Sequence, residues 1–425
     1  MATTVLRYLI VGVRQLSAVW KGLSPSLPLL FLLVLLLLAT IRRPGVSQVV
    51  VRDSAGVRII ENGYGGLPVL ENWRLSEQPL LEIGGLEARP GHDLFRVVGA
   101  VRLADGTIVV ANAGSHELRF YDGTGRYERV SGRRGGGPGE FRDLMDIWAI
   151  GDTLIAYDGE GSRLSLFTSR GIFIGDFTLR HALAGIAPFP THVDLFSDGS
   201  SLVVAQRLLP TGTVRTGIVR DSALYLHCDT HGTVADTVGR FPGTEVFIQT
   251  HGGGTLLARP AFGRTPVLAT REAGFYFGSS DSYEIGYYSV DGRLQFIIRK
   301  AQPNATVTAG DMRLIEEQRL ERARSDMDRA VIQRTFADMP IPESMPACSA
   351  LVVDAEQNLW VEDYARPGDR RGRWTVFNPD GAILAEVDVP SRFTVHQIGG
   401  DFVLGVWRDD LDIEHVQLYG IRKGG

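Results

Sequence analysis

One short phrase recurs through this chain and limits what it can become. A turn carrying Asp, Asn or Gly is followed by four or five β-branched, aromatic or aliphatic residues, and often by another Asp or Asn. It occurs at Ala104–Asn112, Gly151–Asp158, Ser197–Val204, Ala273–Gly278, Glu356–Asp363 and Gly399–Trp407. Aligned on Thr107, Thr153, Ser201, Phe275, Asn358 and Phe402, the copies are 46, 48, 74, 83 and 44 residues apart. Three of these intervals match the ~40–50-residue period of four-stranded propeller blades. The interval of 83 contains a charged stretch, 308–338, without strand character; removing its 31 residues leaves 52. The interval of 74 spans Pro210-Thr211-Gly212 and the turn at His251–Gly254, and is expected to hold extended loops.

A second phrase follows the first: a strand running into a tight turn. Its copies are Leu118–Gly125, Leu164–Gly171, Tyr225–Gly232, Ile285–Gly292 and Trp374–Gly381, with Val416–Tyr419 closing the series. Glycine after Asp or Asn supplies the positive φ that short hairpins need, and alternating apolar positions give half-buried strands. Composition agrees. There are 50 glycines in 425 residues but only 20 prolines, about 12% Gly against a usual ~7%. A lone sheet of this kind leaves apolar faces bare; stacked radially, each sheet covers the next and the ring has no long open edge. The last repeat is one strand short, so an N-terminal strand should complete it. Val49–Ser54 with Val57–Ile60, or Trp73–Ile83, are the candidates.

With these residues in view the body resembles the six-bladed β-propellers of the NHL-repeat-like group of exported bacterial proteins. Gly132-Arg133-Arg134-Gly135-Gly136-Gly137-Pro138-Gly139-Glu140-Phe141 is similar to the Gly-rich phrase ending in Glu-Phe that links consecutive blades of that group. The resemblance is good over 90–180, fair over 345–419 and poor from 205 to 340. It implies a fold far more firmly than an activity, because the group includes ligand-binding and protein-binding domains, lyases and hydrolases. The fold expected is therefore all-β: a six-bladed β-propeller over 48–425, with a signal or transmembrane helix within 1–47 and a helical insertion at 308–338. Within that insertion Thr308 stands three residues before Asp311, as in a capping box. Met312, Ile315, Leu320, Ala323, Met327 and Val331 form a rough stripe. It reads as a solvated helical hairpin on one face of the disc or as a lid over the channel.

The leader sets the compartment. Leu27–Ile41 carries no charge and follows Arg7, Arg14 and Lys21. Basic residues before an apolar run keep the N-terminus in the cytoplasm and send the body across. Gly45-Val46-Ser47 offers a cleavage site, and Arg42-Arg43 just after the run suits an uncleaved anchor. Either way the body is expected outside the cytoplasm, held to the membrane only if the helix stays. Residues 1–47 hold five basic residues and no acid, so the chain's net charge of −5 leaves −10 on the body. Such a body repels phosphate backbones, which excludes nucleic acid as a partner. Two cysteines, Cys228 and Cys348, are too few for a disulfide scaffold, though they could form one bridge.

Chemistry is harder to read. The loop at 132–139 lacks the Gly-Lys-Ser/Thr ending of a phosphate loop, so it reads as a linker. None of the nine histidines forms a zinc-binding spacing, and no Gly-x-Ser-x-Gly elbow occurs. The innermost strands should begin near Arg96, Asp143, His192, Ser349 and His396. Arg96, Asp143, His192 and His396 are the candidate channel-lining residues, able to bind a ligand or to act as acid and base if they converge. Propeller lactonases and esterases place a calcium-holding set of Glu, Asn and Asp there, and that set has no residue-by-residue match here. Trp148, Trp360, Trp374 and Trp407 read as packing residues. The expected function is a binding or scaffold domain that presents loops and a channel to an unknown protein, peptide or small ligand, with no cofactor. The alternative is a channel-sited lyase or metal-dependent hydrolase.

Overall fold

The computed structural model describes residues 49–63, 70–85, 89–180, 182–183, 185, 190–206, 216–251 and 254–424; the N-terminal leader lies outside them. Strands fall into six sheets. The recurring phrase supplies the second strand of every sheet: Ile108–Asn112, Thr153–Asp158, Ser201–Ala205, Gly274–Gly278, Leu359–Asp363 and Phe402–Arg408. The second phrase supplies the third: Glu117–Tyr121, Arg163–Thr168, Gly217–Cys228, Glu284–Ser289, Arg371–Phe377 and Glu414–Gly424. The first strands are Val97–Arg102, Leu144–Ile150, His192–Leu195, Val267–Arg271, Cys348–Val353 and Phe393–Ile398. We number the sheets 1 to 6 in that order.

The apolar core shows how the sheets are arranged. One buried cluster lies at each junction of consecutive sheets. Val109, Leu118 and Phe120 of sheet 1 pack on Leu144, Ile147 and Leu154 of sheet 2. Further clusters join sheets 2 and 3, 3 and 4, 4 and 5, and 5 and 6. The series closes with Leu404, Val406 and Val416 of sheet 6 against Ile108 and Val110 of sheet 1. A cyclic order of face-packed antiparallel sheets, each strand following its neighbour in sequence, is a β-propeller.

Glycine in the second phrase has two jobs. In sheet 4, Gly292 has φ +81°, and a Cβ there would lie 1.9 Å from the Val238 carbonyl oxygen of sheet 3. In sheet 2, Gly171 has φ +79° and faces Phe120 of sheet 1, and its carbonyl accepts from Ser131 Oγ at 2.7 Å. Gly125, Gly232 and Gly381 occupy the same place and face sheets 6, 2 and 4. The turn is thus also the docking point of one sheet on the last. The linker ending in Glu-Phe does a related task. Phe141 is fully buried between sheets 1 and 2. Arg163 donates to the carbonyls of Gly136, Gly137 and Glu140, and the Glu140 carboxylate accepts from the Gly137 N–H at 2.8 Å.

The N-terminal segments divide between two sheets. Asn72–Leu75 and Leu81–Gly84 pair antiparallel with Glu414–Gly424 and complete sheet 6. Val57–Asn62 instead runs parallel to Leu294–Lys300 and, with Val50–Ser54, widens sheet 4 to six strands. Buried Asn62 clips this addition in place: its Nδ2 donates to Gly381 O at 2.9 Å and its Oδ1 accepts from Ile383 N at 3.0 Å, joining sheets 4 and 5.

In the interval of 74, Pro210-Thr211-Gly212 lies outside the described residues, and one strand ends at His251 where the next begins at Gly254. The interval's described residues are not loops but a long hairpin, Gly217–Cys228 with Val234–His251, which projects beyond sheet 3 and adds Gly254–Ala258. The strand-forming run Thr-Glu-Val-Phe-Ile-Gln-Thr at 244–250 explains it. The 308–338 stretch is two helices, α1 (Ala309–Glu321) and α2 (Asp326–Asp338), and Thr308 and Asp311 form a complete capping box. Cys228 and Cys348 are both free and buried. Burial raises their thiols to about 11 and about 12, so neither is reactive near neutrality.

Gly292→Ala should cost clearly more stability than Gly368→Ala. Both positions have positive φ, but no atom lies within 4 Å of a Cβ at 368. The backbone penalty alone is about 1–2 kcal/mol, and the clash with Val238 adds to it. Urea midpoints of the two variants measure the difference; equal midpoints would show that the sheet 3–4 contact is unimportant.

Candidate functional site

A cavity of about 320 Å³ occupies the centre of the ring. All six first strands line it, including Gly99 and Ala100, Leu268 to Thr270, and Leu351 to Val353. Its polar residues come from four sheets: Asp146 and Trp148 from sheet 2, His192 and Asp194 from sheet 3, Thr270 from sheet 4, and His396 from sheet 6. Protein atoms surround them, yet they keep contact with the channel. Charging Asp146, His192 or His396 there is therefore unfavourable.

The two carboxylates differ. Asp194 is fully occupied: Oδ1 accepts from Trp148 Nε1 at 3.2 Å and from Leu195 N at 2.8 Å, and Oδ2 accepts from Thr270 N at 3.0 Å. It ties sheets 2, 3 and 4 together. Asp146 accepts from Ile147 N at 2.8 Å, and its other oxygen has no protein donor. Burial, with the nearby Asp194 charge adding to it, pushes Asp146 up to about 7. Burial lowers His192 against the opposing pull of Asp194. Burial and then the Arg408 cation bring His396 down to about 4. At neutral pH the channel thus holds neutral imidazoles and, in Asp146, a carboxyl poised to exchange a proton. Among the described residues, no group of three or more His, Cys, Asp or Glu is placed to hold a metal ion.

Of the four residues expected in the channel, His192 and His396 line it. His396 is the fourth residue of its strand rather than the first. Arg96 and Asp143 do not line it. They precede their strands and stand at its mouth, 3.7 Å apart and about half exposed. The one-residue offset matters because alternate residues of a strand face opposite ways. Asp146, Asp194 and Trp148 were missed. Their signal was an Asp amid apolar strand residues, in Leu-Met-Asp-Ile-Trp and His-Val-Asp-Leu. Trp148 lines the channel, whereas Trp360 and Trp374 are buried packing residues as expected.

The mouth at which the first strands begin lies beneath the helices. α1 starts at sheet 5, where Asp311 pairs with Arg366 at 3.6 Å. Met312 and Met339 are buried with Phe247 of the sheet 3 hairpin and Ala261 and Phe262 beyond it. At the far end of α1, Arg322 lines a second cavity, of about 420 Å³, with Leu94, Phe95 and Arg96 of sheet 1 and Arg408, Asp412, Ile413 and Glu414 of sheet 6. A helix of this length spans about 20 Å. The hairpin therefore reaches from sheets 3 and 5 to the junction of sheets 6 and 1 on the disc face at which the first strands begin.

No family model matches the chain, and no curated protein does. Solved structures of β-propeller-like proteins are similar in outline. A protein from Bacteroides fragilis described as exported is 11% identical, with 83% of this chain and 96% of that one covered and a TM-score of 0.44. Regucalcin from Agrobacterium tumefaciens, a calcium-binding protein, is 12% identical over 83% and 96%, with a TM-score of 0.38. Virginiamycin B lyase from Staphylococcus aureus is 11% identical over 75% and 94%, with a TM-score of 0.35.

The channel groups fix a pH dependence. Asp146 is raised on folding, so its contribution is present below the unfolded pKa near 4 and is lost as pH rises through about 7. His396 is lowered, so its contribution is present above about 6.5 and is lost as pH falls through about 4. Asp146→Asn should leave stability at pH 4 unchanged and raise it at pH 8 by on the order of a few kcal/mol. Denaturant unfolding at both pH values tests this; an unchanged slope would mean that Asp146 is well hydrated.

Proposed function

We propose that this protein is an extracytoplasmic six-bladed propeller of the NHL-like kind that binds a ligand at the helix-covered mouth of its channel. The six repeats, each forming one sheet of a closed cycle, support the blade count. The basic segment followed by Leu27–Ile41 supports export, as a cleaved signal or a retained anchor. The observation that carries the reading is the placement of α1 and α2. A hairpin anchored at sheets 3 and 5 reaches over the ring to sheets 1 and 6, above a channel lined with polar groups. The hairpin acts as a lid on a binding site held by a rigid ring. The partner is a small molecule, or a peptide or protein segment that enters as one; the acidic body disfavours nucleic acid.

One observation favours a catalytic reading as the alternative. Asp146, poised near 7 beside Asp194 and His192, has the proton affinity of a general acid or base. That would suit a lyase.

The two readings separate in one experiment. The full chain is screened by thermal shift against a panel of small organic acids, amines, sugars and peptides. A ligand at 100 times its Kd adds about 2.7 kcal/mol, a rise of several degrees. Under the binding reading, His192→Ala abolishes the rise and the ligand is recovered unchanged. Under the catalytic reading, the ligand is converted, and Asp146→Asn stops conversion while the thermal rise persists. A panel hit indifferent to both substitutions would remove the channel from consideration.

A further inference from the structure

The second cavity carries more charge than its neighbours neutralise. Three guanidinium groups, of Arg96, Arg322 and Arg408, line it together with the carboxylates of Asp412 and Glu414. Both carboxylates are engaged. Glu414 accepts from Arg408 Nη2 at 2.7 Å and, through its other oxygen, from Val97 N at 2.7 Å, which stitches sheet 6 to sheet 1. Asp412 pairs with Arg392 outside the cavity. Arg96 has only Asp143, at 3.7 Å, beyond hydrogen-bond distance. Arg322 has no side-chain partner among the described residues. One guanidinium fork therefore faces this space without a carboxylate partner among the described residues, Arg96 has a single long ion pair, and Arg408 keeps donors to spare.

The cavity wall is held firmly. Arg96 adopts φ +55°, a left-handed backbone that costs about 1–2 kcal/mol for a residue with a Cβ. The loop is clamped to compensate: Phe95 N donates to Asn112 Oδ1 at 2.8 Å, Gly114 N donates to Phe95 O at 2.8 Å, and Ala113 N donates to Arg96 O at 3.0 Å. Phe95 is 65% exposed, yet its ring sits where a Cβ on Gly114 would come within 2.4 Å of it. An exposed aromatic fixed beside guanidinium groups with donors to spare makes a mixed surface, apolar on one side and cationic on the other.

We propose that this cavity seats the anionic end of the ligand: a carboxylate or phosphate is held by Arg96, Arg322 and Arg408, and the apolar or aromatic body that carries it lies against Phe95 and Leu94. The proposal rests on the lid reading, because Arg322 is delivered by the end of α1. Planar oxyanions match the guanidinium fork in two-point hydrogen bonding. An ammonium ligand would meet like charge. The anion also completes the lid. It bridges Arg322 on the hairpin to Arg96 and Arg408 on the ring, so binding favours the closed position by differential contact.

Calorimetric titration of the full chain in a non-ionic detergent tests this with three probes that share a phenyl ring: benzoate, phenyl phosphate and benzyl alcohol. One or both anions should bind one to one, more weakly as salt rises, and the uncharged alcohol should not. The tighter anion identifies the head group. Arg322→Ala, at an exposed helix end, should weaken binding about tenfold, as expected for losing a charged hydrogen-bond pair. Arg322→Lys should restore only part of it. Absence of one-to-one anion binding, or affinity unchanged in both Arg322→Ala and Arg96→Ala, overturns the proposal. A thermal-shift ligand lost in His192→Ala but kept in Arg322→Ala would leave channel binding standing and remove this site. Arginine-dependent anion binding without any channel-dependent ligand would do the reverse.

Discussion

The contact between one sheet's third-to-fourth-strand turn and the face of the sheet before it holds the ring together. At five of the six junctions the turn carries a glycine with positive φ pressed against its neighbour, as Gly292 is against Val238 and Gly171 against Phe120. The sixth lacks the turn because the chain ends in the third strand of sheet 6. There Glu414–Gly424 is paired instead with segments from before sheet 1. Backbone ladders thus complete sheet 6 itself, and side-chain clusters join it to sheets 5 and 1 like the other junctions. The C-terminal strand and the segments at 72–75 and 81–84 are locked into one sheet, and Ile83, wholly buried, packs in the cluster that joins sheets 6 and 1. Unravelling from the C-terminal end has to break that ladder first.

Most of this was legible in the sequence because the repeat is local. An Asp or Asn before Gly folds its own turn: Asp229 Oδ1 accepts from His231 N and Thr233 N, and Asn378 Oδ1 accepts from Asp380 N and Ala382 N. No partner sheet is needed to specify that geometry, so it can be read one copy at a time. Trp73–Ile83 as the missing strand was also readable as one of two options. The choice between them was not, because either segment could alternate against an edge. What separates them is Asn62, whose amide bonds to sheet 5 from a position reachable only beside sheet 4. That is a tertiary fact with no sequence period.

The site was less legible for the same reason. His192 and His396 were identified, but Arg96 and Asp143 belong to the mouth and not the lumen. Convergence at a ring axis depends on pleat phase, and a bulge resets it. Sheet 1 shifts register between Val97 and Gly99, sheet 2 between Tyr157 and Asp158 at its partner strand, and sheet 6 between Val395 and Gln397. Each shift moves a side chain between lumen and sheet interface. Asp146 was the better clue. A carboxylate inside an apolar strand is unfavourable unless something compensates, and such a residue is worth suspecting before any histidine.

The two cavities divide the chemistry by sign. The lumen holds two carboxylates and neutral imidazoles; the mouth holds three arginines whose carboxylate neighbours are already engaged. Arg408 links them: it lines the mouth, and its charge reaches His396 in the lumen, where it adds to the effect of burial in keeping the imidazole neutral. An anion bound at the mouth would partly cancel that charge and ease protonation of His396, while a cation moving down the lumen would meet Asp194 and, above about pH 7, Asp146. On the proposed reading, the field along the axis would orient a dipolar ligand with its negative end outward under α1 and its positive or neutral end inward. A rigid ring suits such a site. Its opposing charges sit on different sheets, and the six apolar junctions fix their separation so that the charges cannot collapse onto each other.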